Sequence, residues 1–344
     1  MWRPDRQPRA ANMRRLLADR FLLALLGAVA LSSVLPVSGA LVEPFNVVAD
    51  ITIALVFFLQ GARLSRATVV AGFTHWRLHL VVFAATFVLF PLLGLAAAPL
   101  VPALLSPALY TGILFLCVLP STIQSSIAFT SIAHGNVAAA VCSASASNII
   151  GMFLTPLLVG LLFSARGGGP TLEAVGSILL QLLLPFVIGQ ILQPKIGKWV
   201  IENRRVLGLV DRGSILLVVY LAFSHAVVQG LWTKLSAADL AVMVGVDVAL
   251  LALVLVTTTV AARLLGFSRE DEITIVFCGS KKSLASGVPM ANVIFAGQDI
   301  GIILLPVMLF HQIQLMACAA LAQRYADRRL AEMEKEEEAM PAQA

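Results

Sequence analysis

The sequence predicts an all-α polytopic membrane protein: ten transmembrane helices in two inverted five-helix repeats, with crossed discontinuous helices 4 and 9. Three observations lead there. Of the 344 residues, 59% are hydrophobic and only 12% charged, far from the mix of a soluble domain. Most of the chain is taken up by apolar runs near the ~20 residues that a helix needs to cross the hydrocarbon core. The fourth and ninth runs are broken by glycine, proline and clustered polar residues, the mark of interrupted helices at matching positions of inverted repeats.

Apolar runs read against breakers place the helices in order. Helix 1 (20–37) holds the run Phe21 to Val37 behind an arginine-rich start. With the small residues Ser38 to Ala40 after it, this stretch also has the look of a cleavable signal peptide, but its loss would destroy a five-per-half symmetry. Helix 2 (44–62) carries Asp50 early, near the outer surface, and Gln60 at its cytoplasmic end. Helix 3 (77–98) is apolar, helix 4 (107–133) contains Pro120, and helix 5 (136–164) contains the small-residue stretch Cys142 to Asn148. Helices 6 (172–193) and 7 (212–231) flank the longest polar connection, Pro194 to Arg212. Helices 8 (238–265), 9 (272–296) and 10 (300–323) complete the set, and the charged tail beyond them reads as a solvated helix end.

The basic residues orient the molecule. All but Arg166, Lys234 and the pair Lys281 and Lys282 fall on one face, which the positive-inside rule makes cytoplasmic. Both termini are then cytoplasmic, in a plasma (inner) membrane. The organisation expected is a cytoplasmic N-terminus (1–19), a first repeat within 20–193, a cytoplasmic linker (194–211), and 212–323 as the remaining helices of a second repeat that begins near 172. A charged cytoplasmic tail (324–344) follows. The net charge of +5 sits in short connections and forms no nucleic-acid-binding face. Cys117, Cys142, Cys278 and Cys318 lie in apolar runs without metal-ligand or disulfide-framework spacing. No nucleotide fingerprint or nucleophile constellation is present, so enzymatic activity is not expected, nor is a cofactor or an obligate protein partner.

The sharpest feature is Lys281 and Lys282, adjacent in the middle of helix 9 with no acidic neighbour in Cys278 to Pro289. A cation at the bilayer centre costs roughly 2.5–3.5 kcal/mol on insertion scales, so two demand compensation. Helix 4 offers a matching break: Pro120 removes a backbone donor, and Ser121, Thr122, Gln124, Ser125 and Ser126 supply replacement hydrogen bonds. Thr122 to Ser125 aligns with Ser280 to Ser283 at symmetric positions. Together they predict a polar meeting point at mid-membrane. Ser143 and Ser147 share a face of helix 5, either for close helix contact or for the site, and Asn148 adds an amide that lipid cannot satisfy. Asp247 in helix 8 is the leading candidate for the counter-ion of a helix 9 lysine, the alternatives being a place near a membrane boundary or a carboxyl that is simply protonated. His225 in helix 7 and His311, Gln312 and Gln314 in helix 10 read as packing groups or path residues; His311 and Gln314 share a face.

Three stretches, Phe57 to Ser65, Leu119 to Leu158 and Phe277 to Ala291, make the chain resemble the bile acid/sodium symporter family, in particular its bacterial branch similar to sodium/bile acid cotransporter 7-like proteins. The resemblance spans roughly residues 13–325. It implies a core domain (77–164 and 238–323), a panel domain (20–62 and 172–231), and alternating access with sodium-coupled uptake of a small organic anion. By position, a first sodium site falls at Ser125 and Ser126 beside Gln124, and the helix 5 ligands fall near Ala140 and Ala144. On helix 9 this chain departs from the family: Cys278, Lys282 and Ser283 stand where a glutamate, a glutamine and an asparagine are expected. A lysine ammonium can take a cation's place, which makes proton-coupled or sodium-independent anion transport, in either direction, the alternative mechanism. A non-transporting membrane regulator is the alternative from another class.

Overall fold

The computed structural model describes residues 20–63, 75–164, 172–296 and 298–339. The arginine-rich start, the connection holding Arg66, the segment holding Arg166, and the last five residues lie outside the described residues, with the topology readings that rest on them.

Among the described residues the chain is helical throughout. In order it forms α1 (Arg20–Val34), α2 (Val42–Arg63), α3 (Trp76–Ala84), a π-helical turn (Ala85–Leu89), α4 (Phe90–Ala96), α5 (Pro107–Val118), α6 (Gln124–Ile132), α7 (Val137–Ser164), α8 (Leu172–Glu202), α9 (Arg204–Val228), α10 (Leu231–Lys234), α11 (Ala237–Leu264), α12 (Arg269–Gly279), α13 (Leu284–Ile294) and α14 (Ile300–Ala339). Seven stretches of the described residues are long and apolar enough to cross a membrane: 39–63, 76–100, 137–163, 179–202, 205–228, 237–264 and 300–329. Predicted helices 1, 4 and 9 are not among them: α1 has only 15 residues, and the other two are broken. A helix of about 12 residues rises only ~18 Å, so neither half crosses alone.

The polar connection predicted at 194–211 is helical except at Asn203, where α8 meets α9. Its apolar residues recur at helical spacing. Ile196, Val200, Leu207 and Val210 pack with Phe58, Leu59 and Ala62 of α2, and Arg63 pairs with Asp211 at 2.6 Å. That packing decides the conformation over local polarity. The tail is likewise helical to Ala339, well past the predicted end at 323.

Helix α8 packs along α2, and α1 along α9. The α2–α8 approach is backbone to backbone: a Cβ on Gly61 would strike the Phe186 carbonyl, and one on Gly189 the Phe58 carbonyl. Elsewhere α5 packs on α14, while α11 packs on α12 and α14. This second group, with α3, α6 and α7, surrounds the two helix breaks.

Candidate functional site

Two helix C-termini meet here, and each carbonyl from Cys117 to Ser121 has a donor. Pro120 cannot donate an amide, so α5 ends at Val118. The next carbonyls then turn to partners from elsewhere. The Lys282 ammonium donates to Cys117 and Leu119 O, at 2.8 Å each. Thr155 Oγ1 donates to Val118 O at 2.7 Å, the Ser283 amide to Pro120 O at 2.9 Å, and Asn148 Nδ2 to Ser121 O at 2.7 Å. The end of α12 is satisfied in return by the first break: Ser126 Oγ donates to Phe277 O (3.1 Å) and Ser121 Oγ to Cys278 O (2.6 Å). The Ser121 amide donates to Ser147 Oγ at 3.0 Å. Inside a membrane this accounting is obligatory, because no water can take an orphaned backbone group.

Lys282 sits in a cage of oxygens. Its ammonium donates to the carbonyls of Thr86, Cys117 and Leu119, all at 2.8 Å, which uses all three of its protons. It also lies 4.1 Å from the centre of the Phe90 ring, a favourable placement for a cation. The Thr86 carbonyl is free for this role because of the π turn. The Phe90 amide, which would serve Thr86 in an α-helix, bonds Ala85 O instead, and the residue after Phe90 is Pro91, which has no amide proton. The Lys282 backbone is pinned as well: Gln314 accepts from its amide at 2.8 Å and donates to its carbonyl at 2.9 Å. Gln314 Nε2 also lies 2.9 Å from His311 Nδ1.

Lys281 points the other way along α6. Its ammonium donates to Ser125 O at 2.9 Å and lies 3.8 Å over Phe129, with Phe277 at 5.3 Å. Beside it Gln124 is exposed, Ser125 is half-buried, and Thr122 and Ser125 share a hydroxyl hydrogen bond at 2.7 Å. The two lysines are fully buried yet face different partners, so the break, not an intact helix, separates their directions.

The structure thus brings together Gln124, Ser125, Ser126, Ser147, Asn148, Lys281, Lys282 and Ser283. Ser283 caps α13 by accepting from the Ser286 amide, and the Ser286 hydroxyl donates to Asn148 Oδ1 at 2.8 Å. Ser143 lies apart, bonded to His79 Nδ1 at 2.6 Å. His225 is exposed, as is Asp50. Pro289 lies inside α13 and does not make the break. The expected pairing of Asp247 with a helix 9 lysine is not made: both its oxygens lack a hydrogen-bond partner, while carbonyls hold all three Lys282 protons and the Lys281 ammonium turns to Ser125 O. Sequence reasoning missed Thr86, Phe90, Phe129 and the carbonyls of Cys117 and Leu119. Carbonyls carry no residue-type signal, although Pro91 behind an apolar run was a visible one.

The donor set at the positions assigned to sodium suits a fixed ammonium. The Ser125 carbonyl takes Lys281, and the Ser126 hydroxyl is spent on Phe277 O. Among the described residues no group of three or more His, Cys, Asp or Glu side chains could hold a metal ion.

Residues 19–327 match the SBF-like CPA transporter family. Over 316 residues the chain is 61% identical to an uncharacterized protein of Pseudomonas aeruginosa, covering 92% of this chain and 95% of that one. It is 53% identical over 307 residues to YfeH of Escherichia coli, named as a supposed symporter, with 89% and 92% covered. It is 26% identical over 304 residues to sodium/bile acid cotransporter 7 of Rattus norvegicus, with 87% and 89% covered.

Proposed function

The chain belongs to the SBF-like CPA transporter family, and we propose that it is a secondary transporter that moves a small or amphipathic organic anion by alternating access, with lysine ammonium groups in the places where symporters hold sodium. The observation that carries this reading is the Lys282 ammonium on three backbone carbonyls. Carbonyl oxygens converging from a helix C-terminus and a π turn make a cation site, and here the cation is covalently part of the chain. Transport is then independent of sodium.

Ten spans in two inverted repeats, with helices 4 and 9 crossing, accommodate this arrangement. Two bodies are supported by the packing, α1, α2, α8 and α9 forming a panel and the elements around the breaks a core. The anion binds where Gln124 and Ser125 come to the surface beside Lys281, with the N-terminus of α6 adding its positive end. At about 5 Å and an effective dielectric constant of ~20, the Lys281 charge contributes roughly 3 kcal/mol of attraction. Inner-membrane placement with both termini cytoplasmic follows from the basic loops.

Proteoliposomes loaded with buffer and presented with a panel of impermeant organic anions, conjugated bile salts among them, test the reading. Uptake of at least one anion, equal in sodium and choline media and reduced at least tenfold by Lys281→Met, is expected. Uptake that needs a sodium gradient would refute the ammonium-for-sodium assignment. No flux of any anion under sodium, proton or potential gradients would favour a regulator over a transporter.

A further inference from the structure

We propose that Asp247 is a proton-binding site inside the membrane, the group that couples transport to protons. It lies on the buried stripe of α11, with Met243, Leu250, Leu251, Val254, Thr258 and Ala262. This is the face turned to the protein, not to lipid. Its carboxyl has 0% exposure, and neither oxygen has a hydrogen-bond partner. An ionised carboxylate cannot persist there without a donor, so in this conformation the group holds its proton.

The groups around it leave Asp247 to act alone. On α12, Glu272 is bonded to Arg263 and Tyr325, Asp271 to Asn136, and Cys278 lies by Lys281. On α14, His311 is bonded to Gln314, and Cys318 lies by Lys281. On α3, His79 is bonded to Ser143, and Arg77 donates to Leu265 O. The Cys117 thiol is within electrostatic reach of Asp247, and the Cys117 carbonyl holds the Lys282 ammonium. Asp247 is therefore not tied to the lysine cage.

The step is simple. When water reaches the site, the carboxyl O–H bond breaks, its electron pair stays on the Asp247 oxygen, and the proton passes to water as hydronium. Reprotonation from the opposite side closes the cycle, so that one proton crosses for each alternation.

Coupling rests on the transporter reading, whereas proton binding can be measured without it. Infrared difference spectra of the full chain in lipid, stepped from mildly acidic to alkaline pH, should show a carboxylic C=O band that disappears at alkaline pH. The band should be absent in Asp247→Asn and shifted in Asp247→Glu, which keeps a carboxyl should the asparagine variant fold poorly. In proteoliposomes with an internal pH dye, a gradient of a transported anion should change internal pH with the native chain, and at least tenfold less with Asp247→Asn. A native band that does not titrate, or one that persists unshifted in both variants, overturns the proposal. Anion flux with no titrating band defeats this inference and leaves the transporter reading intact; a titrating band without flux does the reverse.

Discussion

Replacing Lys282 by alanine should turn a tethered cation into a site for a free one. The side chain stem carries four methylenes, fully buried; alanine keeps the first carbon, and loss of the other three at ~0.8 kcal/mol each costs about 2.4 kcal/mol. Three carbonyls, each held at 2.8 Å, also lose their donor, and an unsatisfied buried acceptor costs about 1–3 kcal/mol. Release from the desolvation of a buried ammonium opposes the second term by several kcal/mol. With the second and third terms roughly offsetting, the stem term sets the scale at about 2.4 kcal/mol, on the order of 5 °C in unfolding temperature. The oxygens and the Phe90 face remain, spaced for an ammonium-sized ion. Such an ion at 100 times its dissociation constant returns about 2.7 kcal/mol. Thermal unfolding of Lys282→Ala in lipid nanodiscs should be raised by ammonium or potassium over choline at equal ionic strength, with the native chain and Lys282→Met indifferent. An alanine variant that unfolds at one temperature in all salts would falsify the cation-cage account, as would a native chain equally responsive to the cations.

Two further perturbations probe the supports of the site. Gln314→Leu strips both the donor and the acceptor from the Lys282 backbone; at about 1–3 kcal/mol for each group, thermal unfolding should fall by several degrees, and native-like stability would show that Gln314 does not hold the break. Gly189→Ala drives a methyl into the Phe58 carbonyl of α2. Size-exclusion chromatography should show loss of the monodisperse protein, while Gly245→Ala, where a methyl meets nothing within 4 Å, should elute as the native chain does.

The helices were legible where hydropathy and length coincide, as in α7 and α11, and misread where tertiary packing overrules local polarity. Residues 194–211 looked like a linker because of Lys195, Lys198, Arg205 and Asp211. Yet Ile196, Val200, Leu207 and Val210 follow a helical period among those charges, and the partner they pack on, α2, lies more than 130 residues earlier in the sequence. No local window contains that information. The break in helix 9 was assigned in part to Pro289, but the helix tolerates that proline and opens earlier, at Ser280 to Ser283.

The site was legible in its charges and illegible in its oxygens, and the difference has a physical cause. A lysine in a membrane advertises its cost, so Lys281 and Lys282 stood out. Their compensation comes from backbone carbonyls, a group that every residue carries, and which carbonyls are spare depends on which amides are missing. Two prolines supply the rule. Pro120 ends α5 and releases the carbonyls around it, and Pro91 follows a π turn, so that the Thr86 carbonyl has no amide to accept from at either the fourth or the fifth position. Both vacancies converge on Lys282 Nζ. An acidic partner for the lysine was therefore the wrong thing to look for: the charge is balanced by dipoles that proline set free. Asp247, relieved of that duty, keeps its carboxyl for a proton.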